Sequence, residues 1–210
     1  IRGKDEEGNT ISRQYTPVTN ESTKGHFDVV IKIYPDGKLG NYLKNLPIDS
    51  MVEIRGPFGA FNYQGNGSVE IRRSSGMKKY DINSIGMIAG GSGLTPMYQI
   101  AQNISDAQEN IKMTLLFGNQ TEGDIIYRQQ LDDLSVRNPS FNVWYAVDRP
   151  TNPEEWKYTK GYLTAELLKA KLPATGPNTL ILLCGPPGLV NGSTKNLLSL
   201  GYTEDMLFSF

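Results

Sequence analysis

The stretch Ile85-Gly86-Met87-Ile88-Ala89-Gly90-Gly91-Ser92-Gly93-Leu94-Thr95-Pro96 decides how the rest of the chain is read. An apolar run, Ile85 to Ala89, ends in a glycine cluster. A helical pattern follows over about Thr95 to Ile104, with Met97, Ile100, Ala101 and Ile104 on one face. Glycines at a strand-to-helix turn let backbone N–H groups approach a phosphate closely, and the helix N-terminus adds about half an elementary positive charge. The spacing departs from the full dinucleotide fingerprint, because Pro96 stands where a third glycine is expected. Taken alone, the stretch also fits a tight strand–helix turn with no ligand.

Downstream the same alternation continues. Strands are predicted at Lys112 to Phe117, Asn142 to Val147, Thr179 to Cys184 and Met206 to Phe210. Helices are predicted at about Asp124 to Leu134, Thr164 to Lys171 and Gly188 to Leu200. Strands alternating with helices of this length predict a parallel, doubly wound α/β sheet. Upstream, short β-like runs are broken by Gly, Pro, Asn and Asp. Phe27 to Tyr34 and Met51 to Arg55 are the clearest strands, with one short helix between them at Leu39 to Leu46. The character changes near residue 77, and Lys78 to Asn83 reads as a linker. Two lobes are therefore expected: a small β lobe over 1–77 and an α/β lobe over 78–210.

The 210 residues carry 21 Lys+Arg against 22 Asp+Glu. That balance provides no whole-chain basic field for nucleic acid. One cysteine and one histidine exclude an internal disulfide and argue against any structural zinc site, so no metal is expected. A Ser-His-Asp or Cys-His enzyme would have to use His26, which lies in the polar stretch Thr23-Lys24-Gly25-His26-Phe27 and reads as a surface histidine. No apolar run approaches the roughly 20 residues that span a bilayer.

Three further clusters carry chemistry. Arg13-Gln14-Tyr15-Thr16 offers a planar fork for a pyrophosphate, an aromatic face and a hydroxyl within four residues; the alternative is an ordinary amphipathic strand. Gly37-Lys38-Leu39 opens the short helix and could hold a phosphate, or form a plain β-turn. Leu183-Cys184-Gly185-Pro186-Pro187 ends a strand in a rigid turn, placing a thiol at a strand's carboxyl end, where doubly wound sheets bind ligands; the alternative is a small buried side chain. Asp148, at the end of Asn142 to Val147, could accept bonds from ribose hydroxyls, or simply form a turn before Arg149-Pro150. Order and spacing together suggest a flavin held in the first part and a nicotinamide nucleotide in the second.

Taken as a set, these residues resemble the cytochrome b5 reductase family, which includes the flavin–nicotinamide portion of eukaryotic nitrate reductase within the ferredoxin–NADP reductase superfamily. The matching pieces are Arg13 to Pro17, Ile31 to Tyr34, Gly37 to Leu39, Gly56-Pro57-Phe58-Gly59 and Gly90 to Pro96. They continue with Leu116 to Glu122, Trp144-Tyr145, Val147 to Pro150, Cys184 to Pro187 and Phe208-Ser209-Phe210. The resemblance implies FAD on a small antiparallel β-barrel and NADH on the α/β lobe, with hydride passing from nicotinamide to flavin and single electrons passing on to haem iron. Carried over by motif, Arg13, Tyr15 and Thr16 would bind FAD. Ile31, Lys32, Ile33 and Tyr34 would line its flavin and adenine side, with Lys32 also near NADH. Gly37, Lys38 and Leu39 would hold the FAD pyrophosphate. Thr95 would touch the flavin, Gly91 and Ser92 would face the nicotinamide nucleotide, and Asp148 would read the ribose. Gly185 and Pro186 would shape the nicotinamide end beside Cys184. Thr16 and Cys184 are the two catalytic positions implied.

Three departures stand out. Gly40, after Gly37-Lys38-Leu39, stands where the family has serine after Gly-Lys-Met, Gly188 replaces a third proline, and the barrel strands ahead of Arg13 are largely lacking. The implied partner is a one-electron haem protein of the cytochrome b5 kind. The implied setting is intracellular, in the cytoplasm or on an endoplasmic-reticulum or mitochondrial membrane, with attachment through a segment ahead of residue 1. Two alternatives stay open: the reductase portion of a larger fused enzyme such as nitrate reductase, and a degenerate, non-catalytic structural subunit.

Overall fold

In the computed structural model, which describes residues 1–20 and 22–210, the chain opens with an antiparallel hairpin, β1 (Arg2–Lys4) and β2 (Thr10–Ser12). Its turn is built by Asp5, whose Oδ1 accepts from the N–H of Glu7 at 3.1 Å and of Asn9 at 2.8 Å, the side-chain-to-backbone bond that aspartate favours in turns. Gly8, at φ +81°, supplies the left-handed residue. The short helix α1 (Lys38–Lys44) lies on this hairpin so closely that a Cβ on Gly3 would stand 2.5 Å from Tyr42.

Neither strand expected in this region forms. Over Phe27 to Tyr34 the described pairing is a single bridge, Val29 with Pro17, and over Met51 to Arg55 a single bridge, Glu53 with Arg2. The physical reason is pairing. An alternating Val/Ile run needs a neighbour along its length before it becomes a ladder, and Pro17 contributes no N–H to one.

The residues divide into two compact units, Ile1–Gly59 and Ala60–Phe210. The second starts with an antiparallel three-stranded sheet: β3 (Phe61–Gly65), β4 (Ser68–Arg73) and β5 (Gly76–Asp81). Lys78 to Asn83 is therefore mostly strand rather than linker. Asn66 and Gly67, both at positive φ, make the β3–β4 turn. Val69 and Ile71 are fully buried, and Ile82 N–H donates to Gly67 O at 2.8 Å.

Then follow β6 (Ser84–Gly90), α2 (Leu94–Asp106), β7 (Lys112–Asn119), α3 (Arg128–Arg137) and β8 (Phe141–Val147). The chain continues through β9 (Thr159–Lys160), α4 (Ala165–Lys171), β10 (Thr179–Cys184), α5 (Pro187–Ser199) and β11 (Leu207–Ser209). The six strands β6 to β11 form one parallel sheet in the order β11-β10-β6-β7-β8-β9. All seven residues of β6 are buried, as a strand covered on both faces requires. One face packs Ile88, Leu116, Ile181 and Leu183 against Leu168 of α4 and Leu197 of α5, while α2 lies on β6, β7 and β10.

The predicted α/β elements form with shifts of at most two residues, except α3, which runs from Arg128 to Arg137 rather than from Asp124 to Leu134. Glu122–Asp124 form a 3₁₀ turn, and Tyr127 at φ +56° breaks the path into the helix. Thr164 caps α4, its hydroxyl accepting from Leu167 N–H at 3.3 Å, and Pro187 occupies the first turn of α5. Among the described residues no helix is long and apolar enough to cross a membrane.

Candidate functional site

Strand order sets where the parallel sheet opens a crevice. From β6 the sheet grows outward through β7, β8 and β9; the chain then returns to β10 on the other side of β6. Connections leave β6 and β10 in opposite directions, which opens a crevice at their carboxyl ends, the general ligand position of doubly wound sheets. The residues at those two ends are Gly90 to Gly93 and Cys184 to Pro186.

Their backbones nearly touch. A Cβ on Gly93 would stand 2.2 Å from Cys184 O, one on Gly90 would meet Pro186 and Leu189 at 2.9 Å, and one on Gly185 would meet Gly90 N at 3.0 Å. Gly91 adopts φ +53° in the 3₁₀ turn that leads into α2. The glycines therefore let two turns close on each other, leaving bare backbone at the mouth. No side chain caps the first turn of α2 or of α5; backbone carbonyls serve instead, Gly91 O and Ser92 O accepting at the Leu94 cap, and Pro186 O accepting from Leu189 N–H at 3.0 Å and Val190 N–H at 3.1 Å. The Thr95 hydroxyl donates to Ser92 O at 3.2 Å, fixing the turn from within. Cys184 is half-buried, and burial pushes its thiol above the ordinary value. That is the opposite of an activated thiolate.

Asp148 lies just beyond β8, exposed, its N–H donating to Asn119 O at 3.1 Å. Its carboxylate makes no hydrogen bond or ion pair among the described residues. Arg149 is turned aside: its backbone N–H donates to Gln120 O at 2.9 Å and its guanidinium to Gln120 Oε1 at 3.1 Å. Sequence reasoning missed the tie beside it, in which the Glu122 carboxylate accepts three bonds from Thr151. The capping pattern Thr121-x-x-Asp124 was the available signal for the turn that holds Glu122.

In the first unit β2 stops at Ser12, so Arg13 to Thr16 extend beyond the ladder rather than forming an amphipathic strand. Arg13 exchanges backbone bonds with Ile1, and its guanidinium donates to Ser12 O at 2.8 Å. Tyr15 is half-buried; desolvation raises its hydroxyl pKa while the charge of Arg13 pulls the other way, so the two side chains share one electrostatic neighbourhood. Ile33 and Tyr34 are 37% and 49% exposed, apolar surface of the kind a flat ring would cover, with the Lys32 ammonium 5.7 Å from the Tyr34 ring centre.

Gly37 closes a turn onto Tyr34 O at 3.0 Å and stands as the residue before α1. The Leu39 side chain is buried. Lys38 Nζ is engaged by Asp5 at 2.9 Å and Glu7 at 3.5 Å. Its hydrogen bond holds the Asp5 carboxyl down to about 2, so a pyrophosphate at Lys38 would have to compete with two carboxylates. Ile31 lines an apolar groove of about 570 Å³ with Val29, Leu43, Val52 and Ile54. His26 is exposed.

A family model for oxidoreductase FAD-binding domains matches residues 1–63, and one for oxidoreductase NAD-binding domains matches residues 87–195. The human NADH-cytochrome b5 reductase 2 is 42% identical over 214 residues, covering 95% of this chain and 77% of the human protein. The chicken (Gallus gallus) NADH-cytochrome b5 reductase 2 is 41% identical over 218 residues, covering 97% and 71%. Among solved structures, the cytochrome b5 reductase domain of Ulva prolifera nitrate reductase superposes with a TM-score of 0.90 at 34% identity, over 100% of this chain and 82% of that one. A crevice shaped by Gly90 to Gly93 against Cys184 to Pro186, on a chain matched almost throughout at this identity, leads to one assignment: the chain belongs to the NADH-cytochrome b5 reductase family.

Proposed function

We propose that the chain is the flavin–nicotinamide part of a reductase that takes hydride from NADH and passes single electrons to a haem protein of the cytochrome b5 kind. The observation that carries this reading is the crevice in which Gly93 has no room for a Cβ. Two helix starts, those of α2 and α5, meet there over glycine-lined backbone, and a dinucleotide needs such a surface for its pyrophosphate. FAD, when bound, accepts a hydride and releases its electrons one at a time.

The chain's own residues have simpler tasks. Arg13 offers its exposed guanidinium to the FAD pyrophosphate, Tyr15 and Tyr34 offer aromatic faces, and Thr16 a hydroxyl. Ile31, Lys32 and Ile33 line the same ligand, and Gly37, Lys38 and Leu39 hold its pyrophosphate at the start of α1, with the Gly37 N–H kept on Tyr34 O. In the second unit Gly91, Ser92, Gly185 and Pro186 shape the nicotinamide end and Cys184 packs against it. Asp148 presents an unpaired carboxylate to the ribose hydroxyls. A 2′-phosphate there would set like charges together, so NADH is preferred; Arg149, bound to Gln120, is turned from that task.

We assign FAD to residues 1–77 and NADH to 78–210, with β3–β5 lying largely between the stretches that the two family models match. The chain's setting in this reading is intracellular, in the cytoplasm or on an endoplasmic-reticulum or mitochondrial membrane. The likeness to a nitrate reductase domain favours one second reading, the reductase portion of a fused enzyme; a haem module on the same polypeptide would identify it.

The experiment is flavin retention. The purified full chain should be yellow, and its flavin should be bleached by NADH faster than by NADPH. Arg13→Ala removes charge-assisted bonds worth about 1.5–3 kcal/mol each, so that variant should shed FAD on gel filtration. A colourless protein that takes up no added FAD would instead support a non-catalytic structural subunit.

A further inference from the structure

Beyond the last ladder pair of β7 and β8, Asn119 with Val147, the two chains leave the sheet as separate loops. They do not drift apart. Backbone bonds run from Asp148 N–H to Asn119 O at 3.1 Å and from Arg149 N–H to Gln120 O at 2.9 Å. Two residues further on, Glu122 grips Thr151. Its Oε1 and Oε2 accept from the Thr151 N–H at 2.9 and 3.0 Å, and Oε2 also accepts from the Thr151 hydroxyl at 3.0 Å.

Glu122 is itself fixed. Thr121 and Asp124 form a capping box around its turn, with Asp124 Oδ2 accepting from the Thr121 hydroxyl at 2.9 Å and its N–H at 3.1 Å. The segment is thus held at its near end by the N–H groups of Asp148 and Arg149 and at its far end by Thr151, with Pro150 restricting the backbone in between. The Thr151 N–H is also the largest cause of the lowered Glu122 carboxyl pKa, as expected for a carboxylate gripping a backbone donor.

We propose that Glu122 is a positioning residue for nicotinamide-nucleotide selectivity: through Thr151 it holds the 148–151 turn so that the Asp148 carboxylate meets the 2′ position of the adenosine ribose. This rests on the reading of Asp148 given above. Without the grip, a turn held only at Asn119 and Gln120 swings its far end, and Asp148 loses its aim. Binding to the 2′-hydroxyl then weakens, and repulsion of a 2′-phosphate weakens with it. A merely structural role would affect both ligands alike. Positioning of the discriminating carboxylate changes their ratio.

The test is calorimetric titration of the full-length protein with ADP-ribose and with 2′-phospho-ADP-ribose, which needs no turnover. The proteins compared are the parent, Glu122→Ala, Thr151→Val and Asp148→Thr. Glu122→Ala should bind ADP-ribose roughly threefold to tenfold more weakly, the equivalent of about one net hydrogen bond, and should narrow the preference over the phosphorylated ligand. Thr151→Val, which keeps the backbone donor and loses the hydroxyl, should move the same way by less. The proposal is overturned if Asp148→Thr narrows the preference while Glu122→Ala and Thr151→Val leave it at the parent value, or if they weaken both ligands equally. If Asp148→Thr itself leaves the preference untouched, the reading of Asp148 fails first, and the role given to Glu122 falls with it.

Discussion

The single cysteine illustrates how much one residue's environment decides. Cys184 ends β10 beside the glycine turn, half-buried, with its thiol pKa raised by burial. The lone histidine, His26, belongs to the other compact unit, so no base neighbours it in sequence. A thiol in this state packs and orients rather than attacks. Hydride transfer needs donor and acceptor carbons about 3–3.5 Å apart, so a contact residue contributes through placement. Cys184→Ala and Cys184→Ser should both retain FAD and slow flavin reduction by NADH to a similar degree, by roughly tenfold, read in a stopped-flow experiment. Trapping of a covalent adduct on Cys184 during turnover would contradict this, as would reduction at the parent rate in both variants. The residues Cys184-Gly185-Pro186 were legible as a strand-end turn because Gly and Pro punctuate locally. That the turn closes on Gly93 at van der Waals range was not, since those residues are distant in the chain.

At the scale of elements, the α/β half was legible because each signal is local: apolar runs for buried strands, a one-sided apolar face on α2, Thr164 before α4, Pro187 opening α5. The three-stranded sheet was missed although Asn66-Gly67 announces a hairpin, because all three runs are short, β3 is largely polar and β4 and β5 are rich in charge. Phe27 to Tyr34 was misread for the converse reason: a strand-like composition without a paired neighbour along it. Helix α5 carries a testable feature. Gly192 lies in its interior, exposed, with no atom within 4 Å of where a Cβ would stand. Glycine inside a helix loses backbone entropy and gains no contact. Gly192→Ala should therefore stabilise the second unit by about 0.5–1 kcal/mol, seen as a higher denaturant midpoint at unchanged slope. A lower midpoint would mean that the glycine answers to something other than helix propensity.

For the whole molecule the division between units has a consequence for truncation. Residues 60–210 include β3–β5, whose Val69 and Ile71 are fully buried, with Phe61 against Phe208 at 5.4 Å and Lys78 paired to Asp205 at 2.8 Å. A fragment beginning at residue 60 should fold and bind ADP-ribose. One beginning at 78 loses two fully buried branched side chains and should be less stable by roughly 3–6 kcal/mol, at about 1.5–3 kcal/mol each. Equal urea midpoints for the two fragments would show that β3 and β4 contribute little to this unit. The same contrast separates what each level determined. By itself the sequence determined the alternation of strands and helices, the glycine turn after β6 and the family, because periodicity, turn chemistry and motif spacing act over a few residues. Only the tertiary structure decided the strand order that opens the crevice between β6 and β10, the membership of β3–β5, and the grip of Glu122 on Thr151. Each of these joins residues far apart in the chain, and their meeting depends on which apolar faces pack together rather than on any local pattern.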